Sequence, residues 1–358
     1  MKIAVIGTGN SGCAQAAKLV ENGHEVRLIK TSAVNGDNFS AIMELKGVYY
    51  RNQYIKETDY HFAPLAHVTK DVKQGIEGAD VVLILTQSLQ HADIAKLVGP
   101  YLEDNQIVIL IPGNLGSIQF KLATSKQVIF AECESTPYDA RIVEPGKVDI
   151  LFRNVRNAVA FLEQKHRTSL STINKLFDAH KFLRTNVIES AMHNPNLVVH
   201  TIGTIMSASR IEKMKGEFWM YRESFSPSIW NLVAQLDQEK NAVIVAYGGK
   251  PISYLDACKW RNEEDLSVDS KQVFEQYAMD GGPKGPNSLN NRFITEDVPM
   301  GLGQLELLAI KKGIETPVAS SLITLASSLT NKDYRQITKQ LSSITNLTAD
   351  DINDIALK

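Results

Sequence analysis

The stretch "KIAVIGTGNSGCAQAAKLVENGHEVRLIK", residues 2–30, decides the fold. Lys2 to Ile6 read as a short apolar strand. Cys13 to Val20 continue as a helix, Gly23 stops it, and "EVRLI" is the next strand. Between the first strand and the helix stand Gly7, Gly9 and Gly12 in the spacing G-x-G-x-x-G. Each glycine has its own task. Gly7 permits the tight turn, Gly9 lets a pyrophosphate approach the backbone, and Gly12 lets helix and strand pack closely. The helix N-terminus then offers unpaired N–H groups and the positive end of a dipole. The motif alone is weak, but placed between a strand and a helix it points to a dinucleotide. Gly7, Gly9, Asn10, Ser11 and Gly12 are therefore candidate cofactor contacts.

The end of the second strand bears on which dinucleotide. An acidic residue there holds the adenosine 2′-hydroxyl of NAD. This chain has Lys30-Thr31-Ser32, a cation and two hydroxyls that suit a 2′-phosphate, so the expectation is NADP, with NAD allowed. Lys30 also reads as an ordinary solvated strand end. Further on, "ADVVLILT", "NQIVILIPGN" and "QVIFAECES" read as buried parallel strands, and "HADIAKLVGPYL" as a helix. Residues just beyond the carboxyl ends of such strands line the ligand crevice, so Thr86, Gln87, Gly113 and Asn114 are candidate contacts, with Glu132 and Ser135 near the same edge. "ARIVEPGKVDILF" looks like a hairpin at Pro145-Gly146, where the sheet is expected to leave its parallel pattern.

A length of 358 residues exceeds one ordinary core, and two domains are expected, 1–185 and 186–358. Apolar residues make up 44 % and charged residues 22 %, as in a water-soluble globular protein. The formal charge of -2 favours neither nucleic acid nor an anionic membrane. Cys13, Cys133 and Cys258 are odd in number and far apart. They suggest no disulfide framework and no metal site, and fit a cytoplasmic location. The chain runs straight into a strand, so no signal peptide is expected, and its apolar runs are too short to span a bilayer.

From about Asn186 the pattern turns helical: "NLVVHTIGTIMSASRIEKM", "PSIWNLVAQLDQEKNAVIVAYG" and "GQLELLAIKKGI". The expected fold class is α/β, an N-terminal Rossmann dinucleotide-binding domain followed by a mainly α-helical C-terminal domain. At "HNPNLVVH", 193–200, Asn194 suits an N-cap and Pro195 the first helical turn. Asn196 and His200, four apart, share one face. A half-buried histidine suits proton transfer, although spacing alone favours a hydrogen-bonded core histidine. His193 and His200 are seven apart, which is not the spacing of a helical zinc pair. A second polar cluster, "NSLNNRFITEDVPMGL" at 287–302, reads as a loop with Arg292, Glu296 and Asp297. An arginine can fork onto a carboxylate and an aspartate can orient a histidine, although composition alone favours a solvated charged loop.

Taken together, "GTGNSG", "NPNLVVH" and "LNNRFITEDVPMGL" resemble the opine dehydrogenases, the octopine/nopaline dehydrogenase family, over nearly the whole chain. That resemblance implies an active site in the cleft between the two domains. It implies reductive condensation of an amino acid with a 2-oxo acid, the imine being reduced by NAD(P)H. It places the family's catalytic histidine on His200, its helical asparagine on Asn196, its carboxylate on Asp297 and its arginine on Arg292. Lys30-Thr31-Ser32 departs from the acidic residue that several relatives carry. Tyr221, Glu223 and Trp230 could shape the amine-substrate pocket, with packing as the plainer role.

Two other readings stay open here. One is a 2-oxo acid reductase of ketopantoate-reductase or hydroxyacid type, which often depends on a lysine in the helical domain. The other is an NADP-binding sensor without turnover. The enzyme reading expects His200→Ala to fold and lose most activity. Small-molecule substrates are the expected partners, and a homodimer is allowed.

Overall fold

The computed structural model describes residues 1–34, 36–280 and 282–357. The chain divides into two units, Met1–Leu183 and Arg184–Lys358, against the boundary of 185/186 read from the sequence.

The described residues of the first unit form eleven strands. They are β1 Lys2–Ile6, β2 Glu25–Ile29, β3 Gly47–Asn52, β4 His61–Pro64, β5 His67–Thr69 and β6 Val81–Ile84, then β7 Ile107–Leu110, β8 Ile129–Cys133, β9 Tyr138–Glu144, β10 Lys147–Arg153 and β11 Val159–Phe161. Seven of them form one sheet in the order β11-β8-β7-β6-β1-β2-β5. All its pairs are parallel except β11 against β8. Strands β1, β6 and β7 are almost wholly buried, as continuous apolar runs covered on both faces must be. After β1 the chain builds outward through β2 and β5, then returns to β6 on the other side. The order therefore reverses at β1, and the carboxyl ends of β1 and β6 flank the switch point where open α/β sheets bind ligands.

The hairpin at Pro145-Gly146 forms, with Gly146 at φ +77°. It does not continue the first sheet, as the sequence reading had it. Its strands join β3 and β4 in a separate four-stranded sheet, β4-β3-β10-β9. The antiparallel strand of the large sheet is β11 instead.

The second unit is helical in its described residues. The reading of 196–214 as one helix gives way to two, Asn196–Ile205 and Ala208–Met214, and the long helix Pro227–Ala246 follows. The expected loop at 287–302 is instead a short helix, Arg292–Thr295, then a π-helical turn, Val298–Leu302, running into the helix Gly303–Lys311. Pro299 reads as a breaker, but it stands in the first turn, where its missing N–H costs no bond. Among the described residues no helix is long and apolar enough to cross a membrane. Cys13, Cys133 and Cys258 are free thiols and all buried. Burial pushes Cys13 and Cys258 up to about 11.

Candidate active site

In the first unit the helix Asn10–Glu21 starts two residues after the turn that ends β1. Gly7 sits at φ +124°, and a Cβ there would lie 2.5 Å from the Leu85 carbonyl oxygen. A Cβ on Gly12 would lie 1.9 Å from the Gly7 carbonyl oxygen. Both positions are forced to glycine by backbone contacts. Gly9 is different: nothing stands within 4 Å of its Cβ position. The structure thus leaves open space beside Gly9, where a Cβ would intrude. Ser11 Oγ and Thr86 Oγ1 are buried without a hydrogen-bond partner among the described residues. An open cradle with one orphaned hydroxyl at a helix N-terminus and another just past the end of β6 fits a dinucleotide's phosphates and ribose.

The other candidates divide. The Asn10 side chain accepts the Ile142 N–H at 2.8 Å, so it ties the helix start to β9 and leaves its backbone N–H for a ligand. Lys30 is half-buried, its ammonium 5.7 Å from the Phe39 ring centre, with Thr31 half-buried and Ser32 exposed beside it. Gln87 is exposed just after Thr86. Asn114, at φ +48°, is buried and donates to Ser88 Oγ at 2.6 Å. A Cβ on Gly113 would meet the Glu132 carboxylate at 2.2 Å. Glu132 is a helix-end group: it accepts from Leu115 N–H, Ser117 N–H and Ser117 Oγ. Burial pushes its carboxyl up to about 7 against those three donors. Ser135 contributes its carbonyl to the Asn157 amide.

In the second unit the helix Asn196–Ile205 starts one residue later than the sequence suggests, with Pro195 rather than Asn194 at its N-cap position. Asn194 Oδ1 accepts the Asn196 N–H at 3.0 Å, and Pro195 precedes the first helical residue. One turn in, His200 is 5 % exposed, more buried than a half-exposed acid–base group would be. Its Nδ1 lies 2.7 Å from Asp297 Oδ2, across 97 residues of chain. Its Nε2 lies 3.0 Å from the Tyr221 hydroxyl. Its ring stacks on Phe293 with centroids 3.5 Å apart and planes 14° apart. A carboxylate only accepts, so Nδ1 carries the proton and Nε2 is left to accept from the phenol. Asp297 is 3 % exposed, and burial pushes it up to about 7, with the Arg292 charge opposing. A buried carboxyl held against an imidazole marks a candidate proton-transfer site.

Arg292 opens the short helix that follows Asn291, whose side chain caps it. Its side chain is 47 % exposed, and its Nε lies 3.3 Å from the buried Glu296 carboxylate. Asn196 is half-buried, and its side-chain amide bonds no described residue. His200, Asp297, Arg292 and Asn196 thus belong to two adjoining segments, the second of which the π-helical turn leads away.

His193 is a structural histidine. It is 3 % exposed and its Nε2 donates to the Lys250 carbonyl at 3.0 Å. Burial, then Lys240 and Arg184, hold it well below the usual histidine range, so it stays neutral. Glu223 is structural too: it pairs with Arg210 and accepts the Trp219 N–H. Tyr221 does more than the packing expected of it, since it completes the hydrogen bonding of His200. Nothing local in the sequence marks it, because the contact spans 21 residues and a turn between helices. Tyr221, Phe225, Trp230 and Phe274 also wall a pocket of about 170 Å³.

Residues 183–330 match the model of the NAD/NADP octopine/nopaline dehydrogenase α-helical domain. Residues 2–136 match that of the NAD-dependent glycerol-3-phosphate dehydrogenase N-terminus. An opine dehydrogenase of Arthrobacter sp. (strain 1C) is 28 % identical, over 95 % of this chain and 94 % of that protein. The octopine dehydrogenase of Pecten maximus is 25 % identical, over 93 % and 91 %. A solved octopine dehydrogenase, in complex with NADH and agmatine, shares the fold with a TM-score of 0.80 at 19 % identity, over 98 % and 97 % of the two chains.

Proposed function

We propose the function of this chain from one premise: it belongs to the opine dehydrogenase family, that of the octopine and nopaline dehydrogenases. It is an NAD(P)-dependent oxidoreductase acting on the CH–NH group of donors. It condenses an amino acid with a 2-oxo acid and reduces the imine to a secondary-amine dicarboxylate. The observation that carries the chemistry is the buried chain Asp297–His200–Tyr221. Condensation moves protons on and off nitrogen and oxygen, and His200 backed by Asp297 does that. Bound NAD(P)H supplies the hydride. Gly7, Gly9, Ser11 and Gly12 are the residues that would hold its pyrophosphate.

Arg292, half-exposed and cationic, is proposed to receive the carboxylate of the 2-oxo acid. Asn196 is proposed to hold a substrate carbonyl through its free amide. The aromatic pocket beside Tyr221 is proposed to receive the amino acid's side chain. A cytoplasmic, homodimeric enzyme completes the proposal. A simple 2-oxo acid reductase and a silent sensor are not favoured, since an opine dehydrogenase and an octopine dehydrogenase are each matched over more than nine-tenths of their length.

The test follows reduced-nicotinamide absorbance while pyruvate, oxaloacetate and 2-oxoglutarate are crossed with amino acids, each also offered alone. Oxidation only when both partners are present is the expected result, and the amino-acid arm reads the preference of the aromatic pocket. Oxidation with an oxo acid alone would overturn condensation in favour of a hydroxyacid-forming reductase.

NADP is the proposed cofactor, on the cation and hydroxyls at Lys30-Thr31-Ser32. Lys30→Asp replaces an attraction to a 2′-phosphate by a repulsion. A charged hydrogen bond is worth about 2 kcal/mol, so NADPH should bind about 30-fold more weakly. NADH should change little. Equal losses for both, read by nicotinamide fluorescence titration, would mean that Lys30 does not meet the phosphate.

A further inference from the structure

Strands β2 and β5 run parallel, with Ile29 beside Thr69. The ladder continues one residue further, because the Lys30 N–H donates to the Thr69 carbonyl at 3.0 Å. Lys30 and Lys70 are therefore the first residues beyond two neighbouring carboxyl ends, on strands about 4.8 Å apart. Both side chains lean towards one connection, that between β2 and the helix Asp37–Leu45. The Lys30 ammonium lies 5.7 Å from the Phe39 ring centre, and the exposed Lys70 donates to the Ala33 carbonyl at 2.8 Å. Ala33 directly follows Thr31 and Ser32, so both cations are anchored on the segment that carries those two hydroxyls. Among the described residues neither ammonium pairs with a carboxylate. The acid next along, Asp71, uses its carboxylate to accept the Gln74 N–H at 3.1 Å and cap the helix Val72–Ile76. Two like charges on adjacent strand ends repel, and an anion bound between them relieves the repulsion.

We propose that Lys70 is a second cation for the adenosine end of the dinucleotide: together with Lys30 it binds the 2′-phosphate of NADP and sets a preference for NADPH over NADH. This rests on the NADP reading and deepens it, adding a residue from a different strand. In an open α/β sheet the group at the end of the second strand meets the adenosine ribose. A strand end paired with it lies within reach of the same oxygens. A phosphate monoester carries close to two negative charges near neutrality and offers three acceptor oxygens, enough for both ammoniums and a hydroxyl of Thr31 or Ser32. The Lys70 ammonium has three donors, and the Ala33 carbonyl takes only one of them. The 2′-hydroxyl of NADH is uncharged, so the pair contributes little to its binding.

Lys70→Ala removes an ammonium from an exposed position, so its melting curve should match that of the wild type. Binding of NADPH and NADH is read by nicotinamide fluorescence titration. The expected result is NADPH bound about tenfold more weakly and NADH within about twofold of the wild type, with Lys70→Arg recovering most of the loss. Adenosine 2′,5′-bisphosphate, offered as a competitor, carries the 2′-phosphate without the nicotinamide and should weaken by the same factor as NADPH. The competitor 5′-AMP should not change. Equal losses for NADPH and NADH, or no loss for either in a chain that prefers NADPH, would overturn the role of Lys70 alone. A wild-type chain that binds NADH as tightly as NADPH would overturn the NADP reading and this inference with it, and the two failures are thereby told apart.

Discussion

His200→Gln is expected to lower the condensation rate about a thousandfold while leaving dinucleotide binding intact. A positioned general acid–base group contributes about 10² to 10⁴ in rate. His200 stands at the centre of the proton chain, between the Asp297 carboxylate and the Tyr221 hydroxyl. Glutamine retains N–H donors for Asp297 but cannot take a proton near neutrality. Alanine is the poorer test, despite the expectation from sequence that it would fold. It would strand Asp297, 3 % exposed, without its partner. Breaking a buried pair from one side costs about 3 to 5 kcal/mol, so lost activity could follow from lost fold. The measurement is turnover of the glutamine variant under saturating substrates, with its melting temperature and NADPH affinity as controls. Turnover within tenfold of the wild type would remove His200 from the chemistry.

Two glycines of one motif should fail in different ways. At Gly12 a Cβ would stand 1.9 Å from the Gly7 carbonyl oxygen, and backbone on both sides cannot yield. Gly12→Ala should cost about 3 kcal/mol by overpacking, a fall in Tm of about 10 °C, and should lose the cofactor as well. At Gly9 nothing lies within 4 Å of the new methyl, and φ is -85°. Gly9→Ala should therefore melt like the wild type. Its methyl would fill the space proposed for the pyrophosphate, weakening the dinucleotide by about 2 kcal/mol, about 30-fold. Thermal melts and fluorescence titrations of the two variants separate the effects. Undiminished binding by Gly9→Ala would show that no phosphate lies over residue 9.

The first βαβ unit was legible because its periodicity switches within 30 residues and its glycines have fixed duties. Strands β6, β7 and β8 were legible as short continuous apolar runs. Strands β3 and β4 went unread: their alternating, tyrosine-rich pattern carries no turn signal, and only pairing with the later hairpin makes a sheet of them. At the candidate site, Asn194, Asn196 and His200 were legible because helical spacing is local. Asp297 was legible only as one member of a polar cluster, and the family resemblance tied it to His200, since the two lie 97 residues apart. Tyr221 and Phe293 reach His200 through tertiary packing alone, and no pattern within one segment encodes such contacts. Residues 287–302 misled because Pro299 and Gly301 read as breakers, whereas the chain accommodates both in a π-helical turn.

The burial of all three thiols has a practical consequence. Alkylating reagents attack the thiolate, and none of Cys13, Cys133 and Cys258 offers one to solvent. The native fold should therefore behave towards maleimides as though it contained no cysteine. A single cysteine introduced at an exposed loop position such as Lys126 would then be the sole point of dye attachment. Spontaneous labelling of the unaltered chain would, by the same reasoning, count molecules that have opened their cores, turning the native cysteines into a built-in gauge of unfolding.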